Sequence, residues 1–319
     1  MGSDSRKPPK ASVSSRHYED EHDLADMQRL LMEARSRTDN WRYPHVGDLT
    51  FTYFMIACHL KPQEHIRLWH DDQRRLVGYA VLGEDPSFDW QVVPECEWSG
   101  IETEAMVWAE MHLAELRRRD VQQWGGSLVS GARQDNGRRR VFLGQHGFRY
   151  SGEFAEVNML RSLDEPIPDA VLPAGHQVRA VGGAAEIPQR AAAHREVWQP
   201  WTDGNVSDEE YARFVQLPGY DRDLDVVAVA PDGLIAATVN GWMDPVNRIG
   251  CLGQVGARPA YRRRGLTRAA LLEALRRLQA RGMRHACIST GVSNVPAIRL
   301  YESVGFEIVN QYLDYVRMA

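Results

Sequence analysis

Long apolar runs are missing from this sequence. No stretch approaches the ~18 apolar residues of a membrane span, so no span is expected. The opening residues, "MGSDSRKPPKASVSSRH", lack the apolar segment of a secretion signal. A flexible tail over residues 1–16 and a cytoplasmic protein are therefore expected. Cysteine is scarce: Cys58, Cys96, Cys251 and Cys287 form no CxxC pair, and neither a disulfide framework nor a metal site is expected. An excess of positive charge is absent too, the formal net charge being −5, which argues against a nucleic-acid partner. Neither a GxxxxGK[ST] loop nor a GxGxxG turn occurs, so two common nucleotide-phosphate cradles are excluded.

What is present is an ordinary globular composition, 43% hydrophobic and 25% charged over 319 residues, enough for roughly two domains. The segment "LDEPIPDAVLPAG", residues 163–175, carries Pro166, Pro168 and Pro173 and opposes both helix and central strand, so it is expected to be a linker. The sequences on either side echo each other. "DNGRRRVFLGQHGF" in the first half matches "SNVPAIRLYESVGF" in the second, with Asn136 preceding Gly147-Phe148 by the interval that separates Asn294 from Gly305-Phe306. In each copy a strand-like run precedes the Asn (127–131 and 286–290), a helix-like stretch follows it, and a strand candidate follows the Gly-Phe (153–160 and 311–317). A duplication accounts for the match. The expected domains are 17–162 and 176–319.

The second half alternates elements. Residues 178–181 predict a strand and 184–198 a helix; Ser207 and Glu210 form a capping-box signal for a helix over 208–215. Two β-rich runs flank the turn Pro231-Asp232-Gly233, and a glycine-rich strand, "RIGCLGQVGARP", is stopped by Pro259. Leu266, Ala269, Leu272, Leu275 and Leu278 then recur at helical spacing. An α/β (α+β) domain on a mostly antiparallel sheet is expected.

Between strand and helix lies "AYRRRGLTR". A helix N-terminus presents unpaired N–H groups and the positive end of the macrodipole, a ready seat for a diphosphate. Gly265 permits close backbone approach, and Arg262, Arg263 and Arg264 add charge-assisted contacts. The alternative is an ordinary solvated helix start. Arg276 and Arg277, later on the helix, are expected to form its wet face.

The succession "ARPAYRRRGLTRAALLEAL", "ACISTG", "NVPAIRLYESVGF" resembles the GNAT superfamily of acyl-CoA-dependent N-acyltransferases. Its signature (Q/R)-x-x-G-x-(G/A) falls on Arg262, Gly265 and Thr267, where Thr replaces the usual Gly or Ala. The first half resembles the same fold more faintly. Its equivalent turn, "PECEWSGIETEAM", is acidic and lacks Arg-x-x-Gly, which implies a degenerate domain without cofactor binding. The resemblance as a whole implies two tandem GNAT-like domains, each a mostly antiparallel mixed sheet flanked by helices, with acetyl-CoA or a longer acyl-CoA as co-substrate.

The resemblance also implies roles. The backbone of Arg262, Arg263, Arg264, Gly265, Leu266 and Thr267 would hold the diphosphate, while Val255, Gly256 and Ala257 offer a strand edge to the pantetheine amides. Asn294 would bond the same arm. The N–H near Val255 would stabilise the tetrahedral intermediate, and Tyr301 would protonate the departing thiolate. The first half has Leu143 in that place. Many relatives carry a basic carboxylate on the strand before the turn; here that stretch reads Gly253-Gln254, so His194, or Glu196, or a water chain is the candidate base. Each also has a structural alternative. Asp244 is a candidate for binding a cationic acceptor or for a turn. Two-domain members of the family include mycothiol synthase and N-acyltransferases acting on the amino sugar of glycopeptide antibiotics. They imply a small-molecule amine held between the domains, with Trp41, Trp90, Trp98, Trp198, Trp201 and Trp242 either stacking on a sugar, lining an acyl tunnel or filling core. A non-catalytic acyl-CoA sensor and a protein or peptide N-acetyltransferase are the rival functions.

Overall fold

The computed structural model describes residues 13–38, 41–84, 86–199 and 206–318. The first half comprises β1 (Ser14–His17), α1 (Glu21–Ser36), α2 (Val46–His59), α3 (Pro62–His65), β2 (Ile66–His70), β3 (Leu76–Leu82), β4 (Phe88–Val92), α4 (Ile101–Arg119), α5 (Val121–Trp124), β5 (Leu128–Arg133), α6 (Gly137–Gln145) and β6 (Arg149–Ser162). The second comprises β7 (Gln177–Ala180), α7 (Ile187–Trp198), α8 (Asp208–Phe214), β8 (Asp225–Val229), β9 (Ile235–Asp244), β10 (Ile249–Ala257), α9 (Leu266–Ala280), β11 (His285–Gly291), α10 (Val295–Glu302) and β12 (Glu307–Arg317). Among the described residues, no helix is long and apolar enough to cross a membrane.

The strands form a four-stranded sheet, β1-β2-β3-β4, and an eight-stranded one, β5-β12-β6-β11-β10-β9-β8-β7. In that order, strand pairing crosses the boundary expected at residues 162/163. The last strand of each half lies against the other half's strand: β6 pairs antiparallel with β11 from Ser162↔His285 to Glu156↔Gly291, and β12 pairs with β5 from Arg133↔Tyr312 to Leu128↔Arg317. The two halves therefore share one hydrogen-bonded sheet, and pulling them apart would expose unpaired ladder groups. Residues 14–16, expected in the tail, belong to β1, which pairs with β2. Residues 1–12 lie outside the described set.

The echo between the halves is geometric as well as sequential. Asn136 and Asn294 are both N-caps, their side chains accepting from the N–H of Arg139 and Ala297. Gly147 and Gly305 both have positive φ, 81° and 89°. Phe148 N–H donates to the Leu143 carbonyl and Phe306 N–H to that of Tyr301, so both helices end in the same way.

Two faces of the large sheet are covered differently. On the back, Leu271, Leu272, Leu275 and Leu278 of α9 pack with Val157, Met159, Leu252 and Ile288, each leucine worth about 1.5–3 kcal/mol of burial. On the front, Phe54 of α2 joins Ala191, Tyr211, Phe214, Trp242 and Cys251, so a first-half helix completes the second half's core. The linker runs over α9 and is tied down there. Arg276 donates to the Pro168 carbonyl at 2.7 Å, and Gln279 to that of Leu163 at 2.5 Å. Arg276 is thus a tether and not merely part of a wet face. Arg277 likewise reaches the Asp223 carbonyl at 2.8 Å.

Candidate active site

β10 and β11 run parallel and are paired only from Ile249↔His285 to Cys251↔Cys287. Among the described residues, β10 is paired beyond Cys251 with β9 alone, so the two parallel strands part at the end that carries Val255, Gly256 and Ala257. A β-bulge lies at this opening: the register with β9 shifts between Gly253 and Gly256, and Gln254 adopts φ 48°. The bulge is held from the front. Arg190 and Tyr211 both donate to Gln254 Oε1, at 3.3 and 3.4 Å. Arg190 is itself paired with Asp225 at 2.9 Å, with both side chains fully buried. α7 sits hard against the bulge, since a Cβ on Gly256 would lie 2.2 Å from Val197 Cγ1.

The strand leads through a short helical turn, Pro259–Tyr261, into α9. Arg263 has φ 61° and Gly265 φ 78°. Gly265 is the N-cap and has no side chain to satisfy the first N–H groups of α9. Arg262, Arg263, Arg264 and Gly265 are exposed and Thr267 is half-buried. Arg262 Nε donates to the Ala257 carbonyl at 3.3 Å, and Arg264 stacks on Tyr261. Leu266, counted among the cofactor-binding residues, is 1% exposed; its side chain anchors α9 to the sheet, leaving only its backbone for a ligand.

The first half repeats this turn at one constant offset in the sequence, with Pro94, Trp98 (φ 60°) and Gly100 (φ 126°) ahead of α4. There the anion seat is occupied by the chain itself. The Glu102 carboxylate, at the place of Thr267, accepts the Trp98 N–H at 2.6 Å. The slot corresponding to the opening is filled as well: Arg139 stacks 3.7 Å from the Trp90 ring centroid, donates to the Trp90 carbonyl at 3.1 Å and is paired with Asp89.

Asn294 and Tyr301 lie two turns apart on one side of α10. Asn294 is exposed, caps the helix and donates to Thr290 Oγ1 at 3.1 Å. Tyr301 is 5% exposed and belongs to the back-face cluster that Val255 and Ile288 also join. Burial pushes its hydroxyl pKa well up, so it stays protonated at neutral pH.

Other expectations are corrected. His194 is fully buried, its ring 6.2 Å from Trp198 and 6.0 Å from Tyr211. Its ring is enclosed where α7 packs inward against β9 and β10. The Glu196 carboxylate is taken up by Arg258. Asp244 is fully buried, accepts from Asn247 N–H at 3.0 Å and lies 3.4 Å from Arg35 of the first half; it is a turn and interface residue. Trp90 and Trp242 are core, and Trp201 lies outside the described residues. A cavity of about 680 Å³, lined by Val181, Ile187, Ala212, Val215 and Tyr220, opens at the N-terminal end of α7, the end away from Val197 and the opening.

Acidic residues outside the sequence motifs lie on the front face. Glu156 on β6 stands directly across from Tyr312 on β12, and Asp314 follows two residues on. Asp48, in the first turn of α2, brings Oδ1 to 3.6 Å from Cys251 Sγ. Acidity at alternate strand positions was the available signal, but it acquires meaning only once the strands exchange.

Residues 191–306 match the Acetyltransferase (GNAT) family. The chain is 27% identical over 270 residues to a mycothiol acetyltransferase of Acidothermus cellulolyticus, covering 76% of each protein. It is 29% identical over 201 residues to the mycothiol acetyltransferase of Thermobispora bispora, covering 57% of this chain and 67% of that one. In fold it is similar to a GCN5-related N-acetyltransferase of Sphaerobacter thermophilus, with a TM-score of 0.64 at 20% identity over 96% and 95% of the two chains. It is also similar to a tandem GNAT protein from the clavulanic acid biosynthesis pathway, with a TM-score of 0.63 at 16% identity over 96% and 98%.

Proposed function

From the premise that this chain carries an acetyltransferase domain of the GNAT family over residues 191–306, we propose that it moves an acetyl group from acetyl-CoA to a primary amine of a small molecule by direct attack. The observation that carries this reading is the conjunction of two openings. The bare N-terminus of α9, with Gly265 at φ 78°, follows directly on the strand that parts from its parallel neighbour beyond Cys251.

In this reading the diphosphate rests on the N–H groups of residues 262–267, with Arg262, Arg263 and Arg264 adding charge. The pantetheine arm lies in the opening, bonded by the edge of Val255, Gly256 and Ala257 and by Asn294. The bulge at Gln254 turns the adjacent N–H toward the thioester oxygen, where charge develops as the amine adds. Tyr301 gives its proton to the leaving sulfur, a task suited to a hydroxyl that burial keeps protonated.

The acceptor is assigned to the class of amino-sugar conjugates, supported by two relatives named mycothiol acetyltransferase. The test is calorimetric titration with acetyl-CoA, followed by release of free thiol with a panel of glucosamine, cysteine amide, a cysteinyl-glucosamine conjugate and a lysine peptide. Binding with amine-dependent release, strongest for the conjugate, is expected. Binding without release by any amine would mark a cofactor sensor, and release by the peptide alone would mark a peptide acetyltransferase. Mass spectrometry of acyl-CoA retained on purification tests the acetyl assignment against longer chains.

A further inference from the structure

A protonated amine cannot attack a thioester, and the strand that leads to the cofactor turn offers no acid to take its proton, reading Gly253-Gln254. We propose that Glu156, carried into the second half's sheet by the exchanged strand β6, is the proton acceptor of the reaction, and that Asp48 of α2 helps it seat a cationic primary amine at the front of the opening. The proposal rests on the transferase reading above.

Strand alternation fixes which way Glu156 faces. Val157 and Met159 are buried against α9 on the back, so Glu156, Asn158 and Leu160 face front. Glu156 pairs with Gly291 on β11, four residues beyond the last β10–β11 contact at Cys287. That places it level with the parted section of β10 which carries Val255, on the far side of β11. Asp48 approaches from the other side, above Cys251 and two residues short of Gly253. Asp48 is exposed to solvent, and its other oxygen, Oδ2, accepts the His45 N–H at 3.0 Å.

The front face beside Gly253 leaves room and polar groups for a guest. A Cβ added to Gly253 would meet nothing within 4 Å. Its β9 partner Asn240 is 0% exposed, and neither of its amide atoms has a partner among the described residues. Gln254, 8% exposed, likewise has an unbonded Nε2. Antiparallel partners project on the same face, so the Asn240 amide borders the space that Gly253 leaves free. Buried amides without partners are uncommon in folded proteins and call for a ligand or ordered water.

The electrostatics agree. Facing Glu156 are Asp48 from α2 and Asp314 and Tyr312 from β12, while β11 contributes Ser289 and Gly291, which carry no charge. The neighbouring cations are already engaged: Arg139 of α6 by Asp89, Arg133 of β5 by Asp135, and Arg35 of α1, near Asp48, by Asp244. Burial first, then the charges of Asp48 and Asp314, push Glu156 up to about 7. A carboxylate so placed attracts an ammonium and is basic enough to deprotonate it near neutrality.

In the reaction the ammonium gives one proton to Glu156. The freed lone pair forms the N–C bond, the C–S bond breaks, and sulfur takes the Tyr301 proton. Tyr301 is recharged by the second proton leaving nitrogen, and Glu156 returns its own to solvent.

The test compares wild type, Glu156→Gln, Glu156→Asp and Asp48→Asn with acetyl-CoA and the amine panel named above, across pH 5 to 9. Thermal melting verifies that each variant folds. Wild-type kcat should rise with pH through about 7. Glu156→Gln should lose that limb and roughly 10²–10⁴-fold in kcat, with acetyl-CoA affinity unchanged. Glu156→Asp should restore part of the rate, and Asp48→Asn should act chiefly on the acceptor KM. Retention of both the rate and the pH limb in Glu156→Gln would overturn the assignment, as would acetyl-CoA binding with no amine accepted. Failure of wild type to bind acetyl-CoA would instead overturn the transferase reading.

Discussion

The Glu102 carboxylate accepts the N–H of Trp98 at 2.6 Å, where the second half carries Thr267, which has no carboxylate to offer Arg263. One turn geometry thus occurs twice, once satisfied from within and once left open. A carboxylate in the seat and a stacked Trp90–Arg139 pair in the slot support the reading that the first half holds no cofactor. Titration calorimetry should therefore give one acetyl-CoA per chain. Glu102→Thr should not raise that number, because Trp90 and Arg139 still fill the slot. A second site of comparable affinity in wild type would refute the assignment of the first half.

Gly265→Asp should weaken acetyl-CoA binding at least tenfold. At φ 78° an L-residue is strained by about 1–2 kcal/mol, and each 1.4 kcal/mol corresponds to a factor of about ten. The added carboxylate also repels the diphosphate, in imitation of Glu102. Gly265→Ala separates the two effects, since it carries the strain without the charge and should lose less. Equal affinities for the two variants would mean that no anion sits at this turn.

Tyr301→Phe removes only the hydroxyl from a side chain packed against Phe306 with ring centroids 6.3 Å apart, so folding should survive. Turnover should fall by roughly 10²–10⁴-fold while acetyl-CoA affinity stays within a few-fold. An unchanged kcat would remove Tyr301 from the chemistry.

Glu156 also makes a prediction about stability. Its pKa is raised from an ordinary 4.5 to about 7 in the folded chain. The folded state therefore holds the proton more tightly than the unfolded one, and that advantage, complete below 4.5, is lost as pH rises through about 7. Glu156→Gln keeps the neutral form at every pH. It should melt with wild type at pH 4 and above wild type at pH 8, which scanning calorimetry can resolve. A variant less stable at pH 8 would show that Glu156 is paired there.

Local features were the legible ones. The leucine stripe of α9, the glycine at the head of that helix and the Asn-to-Gly-Phe echo each depend on residues a few positions apart, and each is borne out by geometry. The strand exchange was not legible, because β6 meets β11 and β12 meets β5 across the whole length of the chain. With the exchange hidden, Glu156 was one acid on an amphipathic strand of the first half, and Asp48 one acid at a helix start. His194 illustrates the converse. Its sequence position on α7 suited a base, but burial at 0% is set by packing that no local pattern reveals.

The Arg190–Asp225 pair offers a last test, because it joins stability to the site. Both side chains are fully buried at 2.9 Å, Tyr220 also donates to Asp225 at 3.0 Å, and Arg190 reaches on to the bulged Gln254. Asp225→Ala strands a buried guanidinium, which typically costs about 3–5 kcal/mol. The arginine should then draw away from Gln254 Oε1, and a non-glycine residue at φ 48° loses what holds it there. Chemical denaturation should show the stability loss, and kcat should fall with KM for acetyl-CoA little changed, since the diphosphate seat proposed at α9 is untouched. Arg190→Met/Asp225→Leu, which removes both charges, should regain most of the stability but not the rate. If the double variant recovers both, the pair serves the fold alone, and the N–H next to Gln254 is positioned by the strand without it.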